Sequence, residues 1–282
     1  MVVFKKKSDL IAYLSSNFDS NSSIGFVPTM GALHQGHLSL IQKALDDNEL
    51  AVVSIFVNPT QFDNPNDLVA YPRTLETDVE LLKTLSNDIV VYSPNAEDIY
   101  GDEVVASNFS FGGLENEMEG QFRTGHFDGV GTIVKRLFEI VRPTNAYFGE
   151  KDFQQLAIIR HMVKQHGLPV TIVGCPIFRE DDGLAMSSRN VRLTENQRDT
   201  APFIYKTLLT AKTKFGTESV TKINEWVNTK FSKVEALNLE YFVIADENTL
   251  KPIEEKKEQS KYRAFIAVYA GDIRLIDNIA LN

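Results

Sequence analysis

Two histidines three residues apart, His34 and His37, stand in the stretch PTMGALHQGH at 28–37, just after a short apolar run and just before an amphipathic one. In an open α/β sheet, that first turn is where a helix N-terminus offers unpaired amides and a positive dipole end to an anion. The spacing sets both imidazoles at one helix end, within reach of phosphoryl oxygens. It equally suits a helix cap or a packed pair. Lys151, at the start of another predicted helix, opposes the macrodipole, so a bound phosphate explains its position better than helix stability does. Asp152 beside it fits a first turn without any ligand. Ser187, Ser188 and Arg189 offer two hydroxyls and a guanidinium that can contact several phosphoryl oxygens, or else a capping pair with a surface arginine. The 28–37 stretch is neither a GxGxxG nor a Walker loop, and no Cys/His/acidic cluster completes a zinc site. Cys175 has no histidine near it in sequence and is expected to be a small packing residue.

The elements that must position these groups follow from hydrophobic periodicity. From residue 24 onward, strand-sized apolar runs at 24–27, 51–57, 89–92, 145–148 and 170–173 alternate with helical patterns at 36–47, 74–85, 127–141 and 151–165. That alternation predicts a doubly wound, Rossmann-like parallel sheet over residues 1–175. The segment NPTQFDNPND at 58–67 is rich in turn formers and is expected to be a loop. Beyond residue 175 the pattern changes to helices at 195–215 and 219–231, followed by strands at 239–245, 262–269 and 273–275. A smaller α+β domain over 176–282 is therefore expected, with the weakly periodic run 177–190 as the linker lining the cleft. Arg123 and His126 lie in a glycine-flanked loop that could form another wall of that cleft, and 254–261 is expected to be a solvated loop.

Composition narrows the possibilities. At 43% hydrophobic and 24% charged residues over 282 positions, the chain is an ordinary globular protein of about two domains. Its net charge of −9 disfavours a nucleic-acid partner bound through bulk positive charge, so any anionic substrate needs a local site. No apolar run is long enough to span a bilayer. The opening MVVFKKKSDL has no apolar segment after its lysines and does not resemble a secretory signal, and a single cysteine suits the reducing cytoplasm.

The stretch PTMGALHQGH resembles the HxGH element of the adenylate-forming nucleotidyltransferase superfamily, and the fuller similarity is to the pantoate–β-alanine ligase family. Supporting it are FVNPTQF at 56–62, YPRT at 71–74, EGQFRTGHFDGV at 119–130, GEKDFQQ at 149–155 and DGLAMSSRN at 182–190, in family order along most of the chain. Thr124 departs from the family's more frequent proline, and Phe178 from a smaller apolar residue beside the adenine.

The resemblance implies condensation of pantoate with β-alanine through a pantoyl adenylate, with ATP cleaved to AMP and pyrophosphate. It implies catalytic roles for His34, His37 and Lys151. It places ATP against Met30, Gly31, His34, Gly36, His37, Gly149, Lys151, Asp152, Phe178, Met186, Ser187, Ser188 and Arg189. It assigns Asn58, Gln61 and Gln155 to pantoate or β-alanine, and makes Asp78 a candidate ligand for the Mg²⁺ accompanying ATP. It also implies a homodimer through the first domain. The alternatives are another HxGH-type nucleotidyltransferase, including a relative of the aminoacyl-tRNA synthetases, and a non-catalytic ATP-binding regulatory module. The net charge of −9 weighs against a tRNA partner.

Overall fold

The computed structural model describes residues 1–19, 21–62 and 65–282. They form two compact units: residues 1–115, 119–150 and 155–176 make the first, and residues 116–118, 151–154 and 177–282 make the second. The short segment that carries Lys151 thus groups with the second unit.

In the first unit the chain runs β1 (Val2–Phe4), α1 (Lys7–Asn17), β2 (Ile24–Thr29), α2 (Gln35–Asp47), β3 (Leu50–Ile55), a 3-10 turn (Pro59–Gln61), α3 (Pro65–Ala70), α4 (Leu75–Lys83), β4 (Val90–Tyr92), α5 (Ala96–Tyr100), α6 (Glu119–Phe122), α7 (His126–Val141), β5 (Asn145–Gly149), α8 (Phe153–His166) and β6 (Thr171–Cys175). The six strands make a parallel sheet in the order β1-β4-β3-β2-β5-β6. Strand β3, LAVVSI, is buried at every position, as a central parallel strand covered on both faces must be. Helix α2 presents Leu38, Ile41 and Ala44 to this core. The strand order reverses between β2 and β5, and in such sheets the crevice for a ligand opens beyond the carboxyl ends of the strands at that reversal. The turn from β2 to α2 leaves one of those ends, and Gly149 closes the other.

The second unit holds α9 (Glu195–Thr200), α10 (Phe203–Phe215), α11 (Val220–Phe231) and an antiparallel sheet of β7 (Asn238–Asp246), β8 (Tyr262–Ala270) and β9 (Ile273–Ala280). Ile204, Leu208 and Ala211 of α10 and Ile223 and Val227 of α11 share a core with Ile244, Ile266 and Val268 of the sheet. The fold class is therefore a doubly wound parallel sheet with a smaller α+β unit.

Several expected elements differ. The helix expected over 195–215 is two helices broken at Ala201 and Pro202, because proline has no N–H to continue the ladder. The strand expected over 273–275 continues to Ala280. Lys151 lies in a 3-10 turn (Glu150–Asp152) ahead of α8, not inside the helix. The loop expected over 58–67 contains the 59–61 turn and the start of α3; its residues 63–64 lie outside the described residues. Cys175 is buried, and burial pushes its thiol up from the ordinary range, as befits a packing residue.

Candidate active site

The β2–α2 turn is held in a conformation that most residues resist. Gly31 (φ +84°) and Ala32 (φ +50°) are both left-handed, which glycine adopts freely and alanine only at a cost. The Thr29 hydroxyl donates to the Ser54 carbonyl (2.7 Å) and accepts from the Gly31 amide (3.2 Å). The next two amides, of Ala32 and Leu33, donate to the two carboxylate oxygens of Asp78 at 3.0 and 2.8 Å. Thr74, the residue before α4, donates its hydroxyl to the same carboxylate (3.2 Å). A Cβ at position 31 would stand 3.1 Å from Asp78 Oδ2, so glycine also keeps that approach open.

Asp78 is only 2% exposed, and its oxygens are engaged by backbone amides and a hydroxyl. This does not fit the Mg²⁺ ligand expected at this position, because a carboxylate oriented by three donors has turned its lone pairs toward the turn. Among the described residues, no group of three or more His, Cys, Asp or Glu could hold a metal ion.

The turn delivers the two histidines to the start of α2. His34 is the N-cap residue, extended at φ −147°, and it forms a reciprocal capping box with His37. The His34 amide donates to His37 Nδ1 (3.3 Å), and the two ring centroids lie 4.0 Å apart. A ring nitrogen that accepts carries no proton, so neutral His37 keeps its proton on Nε2. One ring nitrogen of His37 thus serves the start of the helix. Met30 and Gly31 belong to this same turn, and Gly36 to the first turn of α2. A cavity of about 280 Å³ adjoins it, lined by Met30, Gly31, Ile55, Phe56, Arg73 and Thr74.

Asn58 and Gln61 share the loop after β3. Asn58, expected at the substrate, is 1% exposed and its amide is saturated. Its Nδ2 donates to Gln61 Oε1 (3.1 Å) and the Gly129 carbonyl (3.3 Å), while Oδ1 accepts from Tyr100 (2.5 Å) and Thr60 (3.2 Å). Asn58 therefore orients Gln61 and presents no spare polar group of its own. Burial pushes the Tyr100 phenol above its ordinary range, which keeps it a donor. With its oxygen taken, Gln61 retains its amide nitrogen, which lies 3.0 Å from Met30 Sδ, a weak acceptor. The backbone beneath is pinned as well. His126 Nδ1 donates to the Gln61 carbonyl (2.8 Å), Arg123 lies 3.2 Å from His126 Nε2, and Gly129 lets the Thr60 carbonyl approach α7 where a Cβ would collide. Arg123 and His126 thus hold the loop after β3 in place. Gln155 is half-buried in the first turn of α8.

The second unit carries the remaining candidates. Lys151 Nζ is 3.8 Å from Asp152, a loose pairing. Residues 178–186 form a small hairpin: the Met186 amide donates to the Phe178 carbonyl (3.0 Å), the Glu180 amide to that of Leu184 (2.9 Å), and Gly183 turns with φ +95°. Arg198 braces it by donating to Asp182 (2.5 Å) and Glu180 (2.6 Å). Met186 leads into Ser187, whose hydroxyl accepts from the Arg189 amide (3.3 Å), so Ser187–Arg189 forms a tight turn instead of a helix cap. Phe178 is 40% exposed.

Position and residue type brought out the histidines and Lys151, and the family resemblance the serine pair. They missed Tyr100, which sits in an ordinary short helix, and Asp78 as a clamp, because hydrogen bonds across 46 residues leave no local pattern.

Residues 2–280 match the family described as Pantoate-beta-alanine ligase. The chain is 57% identical over 282 residues to the pantothenate synthetase of Christiangramia forsetii, covering 100% of both chains, and 56% identical to that of Flavobacterium psychrophilum, again covering 100% of both. Among solved structures it is similar to pantothenate synthetase from Thermus thermophilus, with TM-score 0.91, 39% identity and coverage of 100% of this chain and 99% of that one. The pantoate-beta-alanine ligase from Francisella tularensis, solved in complex with beta-gamma ATP and β-alanine, follows with TM-score 0.82, 35% identity and 100% and 98% coverage. Full-length matches at this identity, together with an HxGH turn built and held in place, establish that the chain belongs to the pantoate–β-alanine ligase family.

Proposed function

We propose that the chain condenses pantoate with β-alanine, with ATP cleaved to AMP and pyrophosphate, and that it does so in two steps. Membership in the ligase family over residues 2–280 carries this assignment. In the first step a pantoate carboxylate oxygen attacks the α-phosphorus of ATP in line; a P–O bond forms as the bond to the β-phosphate bridging oxygen breaks, and pyrophosphate leaves. In the second, the β-alanine amine attacks the acyl carbonyl of the adenylate, loses a proton, and displaces AMP. A carboxylate needs no general base to attack, so the protein's part in the first step is positioning and stabilisation of charge.

His34 and His37, both at the α2 N-terminus, contact phosphate oxygens there. Lys151 and the Ser187, Ser188 and Arg189 turn hold the departing phosphates, with Gly149 and Asp152 beside the nucleotide and Phe178 and Met186 at its base. Gln61, and with it Gln155, receives pantoate, and Asn58 serves by orienting Gln61. ATP enters as its magnesium complex; with Asp78 engaged by the turn, the ion belongs to the substrate. A cytoplasmic location, supported by the single buried cysteine, and a homodimer through the first unit, supported by the family resemblance, complete the proposal.

Enzyme mixed with ATP, Mg²⁺ and pantoate but no β-alanine is expected to release about one pyrophosphate per site in a fast phase, because the adenylate stays bound. Release only after β-alanine is added would replace the two-step scheme with a concerted one.

A further inference from the structure

Strand β9 carries two polar residues at positions that a strand packed on helices would fill with apolar ones: Asp277 is 4% exposed and Asn278 2%. Both are fully engaged. Arg179 meets Asp277 with two parallel hydrogen bonds of 2.6 and 2.9 Å, stacks 3.6 Å from the centre of the Tyr205 ring, and donates to the Gly183 carbonyl (3.1 Å). The Asn278 backbone amide donates to Asp277 Oδ1 (2.8 Å). Arg263 Nη1 donates to Asn278 Oδ1 (2.6 Å), and Arg263 is itself held by Glu247 (3.0 Å) and lies 3.9 Å over the Phe153 ring. A guanidinium can only donate, so Arg263 fixes which end of the Asn278 amide faces it. The other end, Nδ2, then donates to the Lys151 carbonyl at 3.0 Å.

We propose that the Asp277–Asn278 pair is a positioning hub for adenylation: Asn278 sets the backbone of Lys151, and Asp277, through Arg179, sets the hairpin that leads into Ser187–Arg189. Both phosphate-binding segments of the second unit are thereby referenced to one strand. Buried ionic and amide groups are weak contributors to stability, since apolar residues of similar volume commonly serve as well. Apolar packing cannot, however, fix the direction of one carbonyl or hold a hairpin by a two-pronged bond. The placement matters because a displacement of about 1 Å at a group that meets the transition state can slow a reaction about 100-fold. The proposal rests on Lys151 contacting the phosphates of ATP.

The test is single-turnover pyrophosphate release at saturating ATP and pantoate by Asn278→Asp, which keeps the Arg263 contact but loses the donor to Lys151, and by Asn278→Ser, which adds no charge. Thermal melts establish that each variant is folded. Each is expected to slow adenylation about 10- to 100-fold with pantoate affinity unchanged. In a Lys151→Ala background the same substitutions should slow it by less than about 2-fold, since residues acting through one another are not additive. Arg179→Lys, which retains charge but not the paired bonds, is expected to slow it as well. Equal losses in both backgrounds, or folded Asn278 variants at the wild-type rate, would overturn the hub while leaving Lys151 at the phosphates. A wild-type rate for Lys151→Ala alone would overturn the Lys151 assignment and the hub with it.

Discussion

Replacing His37 with alanine, or Lys151 with alanine, is expected to slow adenylation by about two orders of magnitude or more, the loss typical of one preorganised donor to developing charge. His37 stands at the third position of α2, at the helix end that follows the carboxyl end of β2, with Nδ1 engaged by the His34 amide. Lys151 follows the carboxyl end of β5, the strand beside β2 at the reversal of strand order, in a turn ahead of α8 where the Asp152 carboxylate is a loose 3.8 Å away. A purely structural part for His37 would cost ~1 kcal/mol of helix capping and leave turnover normal. Quenched-flow measurement of pyrophosphate release by the folded variants separates the two outcomes. Wild-type rates in both would remove these residues from the reaction.

Asp78→Ala is expected to do damage of a different kind. The carboxylate accepts from the part-buried amides of Ala32 and Leu33; a buried amide left without an acceptor costs about 1–3 kcal/mol and a partly solvated one less, so a loss of roughly 1–4 kcal/mol in unfolding free energy is expected. It also holds Gly31 and Ala32 in the left-handed region, and without it the turn relaxes and takes His34 and His37 out of place. Adenylation should then fall about 10- to 100-fold. Asp78→Asn, which keeps one acceptor oxygen, should lose less of both. The Mg²⁺ concentration giving half-maximal rate should be unchanged in either variant, as a clamp requires; a large increase with unaltered stability would instead make Asp78 a metal ligand. Denaturant titration and a magnesium titration of the rate measure the two quantities.

Much of the architecture was legible because it rests on local periodicity. The continuous apolar run that becomes β3 has the length and composition of a doubly covered strand, and α2 was visible from Leu38, Ile41 and Leu45 on one face. Where polar residues are buried by distant partners, periodicity fails. Strand β9 looked three residues long because Asp277 and Asn278 interrupt its apolar pattern, and their partners Arg179 and Arg263 lie 98 and 15 residues away. Helix α1 escaped notice because only Leu10 and Leu14 of its 11 residues are buried. The same division runs through the candidate site. Histidines at one helix end and a lysine near a helix start could be picked out as candidates by type and position, and the family resemblance supplied their roles. Asn58 looked like a ligand contact, but the tyrosine and glutamine that saturate its amide could be found only in three dimensions.

The most direct test is exchange of labelled pyrophosphate into ATP. The two-step ligase predicts exchange that needs enzyme, Mg²⁺ and pantoate, proceeds without β-alanine, and vanishes when pantoate is omitted, because only a reversibly formed pantoyl adenylate returns the label to ATP. Exchange at the same rate without pantoate, or none in its presence with folded enzyme, would contradict adenylation of pantoate as the reaction of this site.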